Sequence, residues 1–279
     1  MMKIGFIDYF LDEWHSNNYP AWIKQFSDGE MEVAYAYGKI ASPISGMTSA
    51  QWCERFGVTL CDTIEEVVEK SDALVVLSPD NCEMHEELCQ LPLRSGKPTF
   101  IDKTFTPDLA TAKRLFALAE EHGTPCYSTS SLRYAEEYAD VKTDDIASVC
   151  CWGSGVIDGY AVHMLEPLVM LMKAPAKRVL YSGTEGWYQV TIEFADGRFG
   201  SIAGWLPWAP YLTNIKHTDE CQSLTIESDF FLPFSKVMVE FFRTREVPVA
   251  HEETLQVMAI REAAMQAQSK PGEWITVPQ

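Results

Sequence analysis

Basic residues are scarce in this chain: 22 Lys and Arg stand against 40 Asp and Glu, a net charge of −18. Nucleic acids and anionic membranes both need clustered cations to neutralise phosphate, so neither is expected as a partner. Long apolar runs are missing as well. No stretch approaches the roughly 18 consecutive apolar residues of a membrane span. The start, Met1-Met2-Lys3-Ile4-Gly5-Phe6-Ile7-Asp8, has too short an apolar run for a signal peptide, and Asp8, Asp12 and Glu13 interrupt it. The expected compartment is the cytoplasm. Cys53, Cys61, Cys82, Cys89, Cys126, Cys150, Cys151 and Cys221 form no C-x-x-C pair, and in that compartment they are expected as free thiols. His85 and Cys89 have the i, i+4 spacing of two metal ligands, but no others lie at metal-site spacing, so no metal is expected. Neither a fixed-period repeat nor a low-complexity segment is present.

What remains is a globular composition, 47% hydrophobic and 22% charged over 279 residues, enough for two ordinary domains. The first 128 residues alternate short apolar runs with helical patterns, the habit of a parallel sheet with crossover helices. Strands are expected at Lys3–Ile7, Glu32–Ala36, Ala73–Leu77, Pro98–Ile101 and Pro125–Ser128. Pro20 reads as the first turn of a helix to Phe26, which leaves Asp8 to Tyr19 as a long loop. Asp62-Thr63-Ile64-Glu65 reads as a capping box opening a helix to Lys70. Helices are also expected over Ser49–Phe56, after Ser78-Pro79, and from Thr106-Pro107 to a stop at Gly123.

The remainder is β-rich. Ala147–Cys151, Arg178–Ser182, Trp187–Phe194, Phe199–Trp205, Ser223–Ser228 and Trp274–Val277 read as strands, with helices at His163–Met172 and Glu253–Gln268. The expected fold is therefore α/β: a Rossmann-type parallel-sheet domain over residues 1–128, then an α+β domain over 129–279. The second domain's sheet is expected to be open and mainly antiparallel, one face needing its own helices, the first domain or a second copy. A homodimer through it is expected. Trp205, Trp208 and Tyr211 suit a sugar-stacking surface, a core or a dimer face.

Four segments, in order and on the right elements, resemble the Gfo/Idh/MocA oxidoreductases. Lys97-Pro98-Thr99-Phe100-Ile101-Asp102-Lys103 resembles their G-K-x-V-x-x-E-K-P. Ser78-Pro79 followed by His85 resembles T-P-x-x-x-H, two residues longer. Ser130-Ser131-Leu132-Arg133-Tyr134 resembles S-S-L-R-Y, and Tyr160-Ala161-Val162-His163-Met164-Leu165-Glu166 resembles Y-G-I-H-x-x-E. The resemblance implies an NAD- or NADP-dependent oxidoreductase acting on a hydroxyl of a sugar, polyol or similar small polar molecule. It implies Lys103 and His163 as catalytic groups, one a base on the hydroxyl proton and the other a donor to the developing oxyanion. Gly5, Phe6, Ile7, His15, Ser78, Pro79, His85 and Asp102 are the implied cofactor contacts, and Arg133 and Tyr160 the implied substrate contacts.

The chain departs from that pattern in specific places. Read from Gly5, the fingerprint G-x-G-x-x-G keeps only its first glycine, and Asp8, Asp12 and Glu13 would repel a pyrophosphate. The second strand ends without an acidic residue for the ribose, and Lys39 there suits a 2′-phosphate. Asp102 and Thr104 stand for the glutamate and proline of E-K-P. Either Trp14, His15, Asn17 and Asn18 replace the glycine contacts, or the chain has lost dinucleotide binding. The alternatives to a dehydrogenase are thus a redox-neutral lyase or epimerase with a retained cofactor, and a non-catalytic ligand-binding member.

Overall fold

The computed structural model describes residues 1–279, which divide into two compact units. The first comprises Met1–Thr106, Ala110–Thr129 and Leu232–Ala250, the second Pro107–Leu109, Ser130–Phe231 and His251–Gln279.

In the first unit β1 (Met2–Asp8), α1 (Trp14–Phe26), β2 (Met31–Gly38), α2 (Ser49–Phe56), β3 (Thr59–Leu60), α3 (Ile64–Lys70) and β4 (Ala73–Val76) follow in turn. A short helix α4 (His85–Leu88), then β5 (Thr99–Ile101), α5 (Leu109–Glu121) and β6 (Cys126–Ser128) complete the run. The six strands are all parallel in the order β3-β2-β1-β4-β5-β6. That is the Rossmann-type order, whose direction reverses between β1 and β4 and opens a crevice at their carboxyl ends. Burial explains the centre of the sheet: Ile4, Phe6, Ile7 and every residue of β4 are fully enclosed. Gly5 lies inside β1, not in a turn. A Cβ there would stand 2.3 Å from Ser71 Oγ and 2.5 Å from a Val67 methyl, so Gly5 lets α3 seat against the strand.

Three local expectations are corrected. Helix α1 starts at Trp14, six residues before Pro20, which lies inside it. The loop after β1 is therefore short, because Glu13 caps the helix with its own side chain. Thr63, not Asp62, caps α3: its hydroxyl accepts from the Glu66 N–H while the Glu66 carboxylate accepts from the Asp62 N–H, one residue along from the expected box. A helix absent from the sequence reading, α7 (Phe231–Thr244), gives residues 232–250 to the first unit, where the reading assigned them to the second domain. The cause is its aromatic stripe. Phe234 packs at 5.8 Å from Tyr19 and 5.5 Å from Phe100, and Phe241 at 4.7 Å from Tyr127. Arg243 pairs with Glu30 and Arg245 donates to the Gly96 carbonyl.

In the second unit β7 (Ile146–Ser154) leads into α6 (Ile157–Met172), followed by β8 (Ala176–Thr184), β9 (Trp187–Phe194) and β10 (Phe199–Trp205). Then come β11 (Leu212–His217), β12 (Cys221–Thr225), α8 (His251–Gln268) and β13 (Trp274–Thr276). The seven strands run β12-β11-β7-β10-β9-β8-β13, antiparallel except for the parallel pair β7–β10. Helix α6 begins six residues before His163, and β11 was absent from the sequence reading. α6 packs on β7 and β10 and α8 on β8 and β13, covering the face on which Val149, Cys151, Val190 and Ile192 are buried. Alternation sends Trp152 and Phe199 to the other face, where Trp152 is 40% exposed and its ring lies 5.2 Å from Trp205. No helix in either unit is long and apolar enough to cross a membrane.

Glu137 ties a short turn (Glu136–Tyr138) to the segment after β12: its carboxylate accepts from the Glu227 and Ser228 N–H groups and from the Ser228 hydroxyl. Burial works against the charge, but these donors outweigh it and pull the pKa down from 4.5 to about 2. A folded-state pKa below the unfolded one stabilises above the unfolded value and loses that stabilisation as pH falls. The melting-temperature deficit of Glu137→Gln, measured against wild type, is thus expected at neutral pH and closes as pH falls from 4.5 to about 2. A deficit that persisted at the acid end would contradict this.

Candidate functional site

Three residues close the carboxyl ends of the central strands in the first unit: Asp8 on β1, Ser78 after β4 and Asp102 after β5. Asp102 is fully buried and pairs through Oδ2 with His15 Nδ1, while Oδ1 accepts from the Lys103 N–H at 2.8 Å. His15 in turn stacks on Tyr19 with ring centres 5.2 Å apart. Burial pushes the Asp102 carboxyl up, but the charge and hydrogen bond of His15, with Lys103, outweigh it and hold the pKa below its ordinary value. Asp8 has no such partner: burial first, then the charge of Glu13, raise its pKa well above the carboxylate range. Its Oδ1 accepts from the Phe10 N–H at 3.3 Å, and its Oδ2 has no hydrogen-bond partner. Burial and the charge of Asp102 raise Glu13 against the pull of His15. Lys103 is half-buried, and the Thr104 hydroxyl beside it is buried without a partner.

The other residues named from sequence fall into distinct groups. Phe6 and Ile7 are sheet core, and Gly5 serves helix packing; none of the three presents a side chain at the strand ends. Ser78 is at the crevice, with φ of 92°, a left-handed backbone unusual for a residue with a Cβ, and its hydroxyl donates to the Asn81 carbonyl. Pro79 beside it is half-buried. His85 opens α4. It is fully buried, its Nδ1 2.7 Å from the Phe105 carbonyl and its Nε2 2.5 Å from the Leu77 carbonyl. Both ring nitrogens face carbonyls, at the end of β4 and in the loop after β5, and the neutral ring donates to one of them, so the expected cofactor contact is replaced by a structural one. Burial, the largest influence, lowers its pKa. Asn17 bonds Asp12 and Trp52, Asn18 bonds the Trp14 carbonyl, and Lys39 pairs with Glu87, so these groups are likewise engaged within the unit.

In the second unit His163 is half-buried on α6, its Nδ1 2.7 Å from the Ser130 hydroxyl and its ring 5.5 Å from that of Tyr160 and 6.2 Å from Tyr211. Tyr160 is exposed. Arg133 departs from the expected substrate contact. Its guanidinium is buried, Nη1 2.9 Å from Glu166 and Nη2 2.7 Å from Glu253, and so locks α6 to α8. Sequence reasoning also missed Arg261, which is buried and bonded to the Asp158 side chain and to the carbonyls of Asp158 and Pro107. Its position in a polar-looking helix gave no signal of burial.

Residues 20–130 match the model of an oxidoreductase family described as having an NAD-binding Rossmann fold, GFO_IDH_MocA. Over those residues the chain is similar to the Gfo/Idh/MocA family. Over 60 residues it is 38% identical to an uncharacterized oxidoreductase, YhhX, of Escherichia coli strain K12, covering 22% of this chain and 17% of that protein. Over 86 residues it is 31% identical to dTDP-3,4-didehydro-2,6-dideoxy-alpha-D-glucose 3-reductase of Actinomadura kijaniata, covering 29% and 26%. These matches thus span about a quarter or less of the curated relatives' length. The fold extends over the whole chain. The scyllo-inositol dehydrogenase of Lactobacillus casei, solved with NAD(H) and scyllo-inositol, superposes with a TM-score of 0.76 at 13% identity, covering 99% of each chain.

Whether this chain suits a dinucleotide is tested at its first βα turn. A pyrophosphate needs glycines for close backbone approach and free N–H groups at the helix N-terminus. The turn after β1 starts at Asp8, not Gly5, because Gly5 lies mid-strand. At fingerprint spacing the three glycine positions are therefore Asp8, Phe10 and Glu13. The Glu13 carboxylate already accepts from the His15 N–H at 2.7 Å and from the Ser16 N–H. As the turn stands, its residues do not fit a pyrophosphate.

Proposed function

We propose that this chain is a Gfo/Idh/MocA-type, NAD(P)-dependent oxidoreductase acting on a hydroxyl of a sugar, polyol or similar small polar molecule. The observation that carries the reading is the pair Asp102-Lys103 at the mouth of β5, at the position of the family's E-K motif, within the segment that matches the family model. Lys103 and His163 are the groups assigned to the substrate hydroxyl: one takes its proton and the other donates a hydrogen bond to the oxygen. Ser130 orients the His163 ring through Nδ1. Tyr160, exposed beside His163, is the assigned substrate contact in the second unit. The sugar reductase and inositol dehydrogenase among the similar proteins support a polyhydroxylated substrate. The test is a panel of sugars and inositols offered with NAD⁺ or NADP⁺ while nicotinamide absorbance is followed. Turnover of at least one member is expected, and none across the panel counts against the reading.

The Glu13 carboxylate favours a second reading: a ligand-binding member that has given up dinucleotide binding. Under it, a sugar or polyol would bind the chain with no dinucleotide present, and none would be oxidised.

The uncovered sheet face of the second unit supports a homodimer. Trp152, Phe199 and Trp274 expose large apolar rings on it, the kind of surface a second copy covers. Light scattering at micromolar concentration is expected to give twice the chain mass, and Trp152→Glu to shift it towards one. A wild-type monomer would refute the dimer.

A further inference from the structure

We propose that Glu13 is an internal anion occupying the pyrophosphate seat of the first unit, so that NAD(H) or NADP(H) enters only by displacing it. The proposal rests on the oxidoreductase reading and adds what sets its dinucleotide affinity.

A helix N-terminus attracts one anion, because its first N–H groups lack partners within the helix and its dipole is positive there. In α1 those groups are filled from within. Glu13 Oε2 accepts from the His15 N–H and Oε1 from the Ser16 N–H, and the Asn17 N–H goes to the Glu13 carbonyl. The cap is reciprocal, since the Ser16 hydroxyl also faces the Glu13 N–H. The preceding segment is pinned too: the Asp12 carboxylate accepts from Asn17 and Ser45, and its carbonyl from Ser42. A second observation is independent of the cap. Asp8, at the first glycine position, is enclosed with Oδ2 unpartnered, and burial, with the charge of Glu13, raises its pKa. Phe10, at the second glycine position, is buried and fills space that a close-approaching phosphate would need. An incoming pyrophosphate meets the His15 and Ser16 N–H groups already engaged and a carboxylate of its own sign. Moving Glu13 out frees two N–H groups at once.

The test is a fluorescence titration of full-length wild type and Glu13→Ser with NADH and NADPH. Serine is a good helix cap, so α1 retains its start, while its short neutral hydroxyl removes the charge and engages one N–H where Glu13 engages two. The dissociation constant of Glu13→Ser is expected to fall at least about tenfold below that of wild type for one dinucleotide. Glu13→Gln, which keeps the shape and removes the charge, is expected to fall between them and serves if the serine variant does not fold. Equal, measurable affinities in wild type and variants would overturn the plug and leave the oxidoreductase reading standing. Weaker binding by the variants would also overturn it, making Glu13 a contact rather than an obstacle. No binding of either dinucleotide by any form would overturn both.

Discussion

Replacing Arg133 with alanine is expected to lower the stability of the second unit by about 3–5 kcal/mol, since it takes the guanidinium away from a buried carboxylate. Glu166 is 2% exposed and has the Arg133 guanidinium 2.9 Å away. In a unit of this size the loss corresponds to a drop of roughly 10 °C in Tm. The outer pair with Glu253, whose side chain is 37% exposed, contributes the smaller share. Glu166→Leu added to Arg133→Met is expected to recover much of the loss, because the pair together costs less to remove than either member alone. Thermal unfolding followed by circular dichroism reads both. A wild-type Tm for Arg133→Ala would mean that the Glu166 carboxyl finds another partner or is neutral.

Lys103→Met is expected to lower kcat by about 10²- to 10⁴-fold, the usual range for loss of a positioned acid or base. Lys103 is half-buried at the mouth of β5, and its backbone N–H is held by Asp102, which His15 holds in turn. The side chain is therefore aimed by a buried network that the substitution leaves in place. KM and Tm are expected to move little by comparison. His163→Ala is expected to lower kcat similarly, and Ser130→Ala less, since it frees the imidazole without removing it. A Lys103→Met enzyme with unchanged kcat would remove Lys103 from the chemistry.

The parts of the fold that sequence reasoning reached are those governed by local chemistry. The unbroken run Ala73–Val76 is a buried central strand, and the segment ending Asp102-Lys103 leaves β5 where the resemblance puts it. The parts it missed depend on partners far along the chain. α1 was started too late because its cap is a glutamate, which lacks the short side chain of the usual caps. α7 went unread because Pro233 resembles a stop, and its stripe of Phe234, Met238, Phe241 and Phe242 buries beside strands more than a hundred residues earlier. Gly5 drew the fingerprint three residues early, since a glycine in a strand cannot be told from one in a turn without the register of β1. Arg133 looked free because Glu166 and Glu253 lie 33 and 120 residues away in sequence. His85 was read as a cofactor contact because the groups it faces are backbone carbonyls, which no sequence pattern marks.

The most direct test of the central claim is the product itself. Wild-type protein is incubated with each sugar or polyol of the panel and NAD⁺ or NADP⁺, and the product is analysed by mass spectrometry and NMR beside the reduced nicotinamide. The account predicts one carbonyl at a former hydroxyl-bearing carbon for each nicotinamide reduced. A product of unchanged mass with no net nicotinamide reduction, or ligand bound and returned intact, would contradict it.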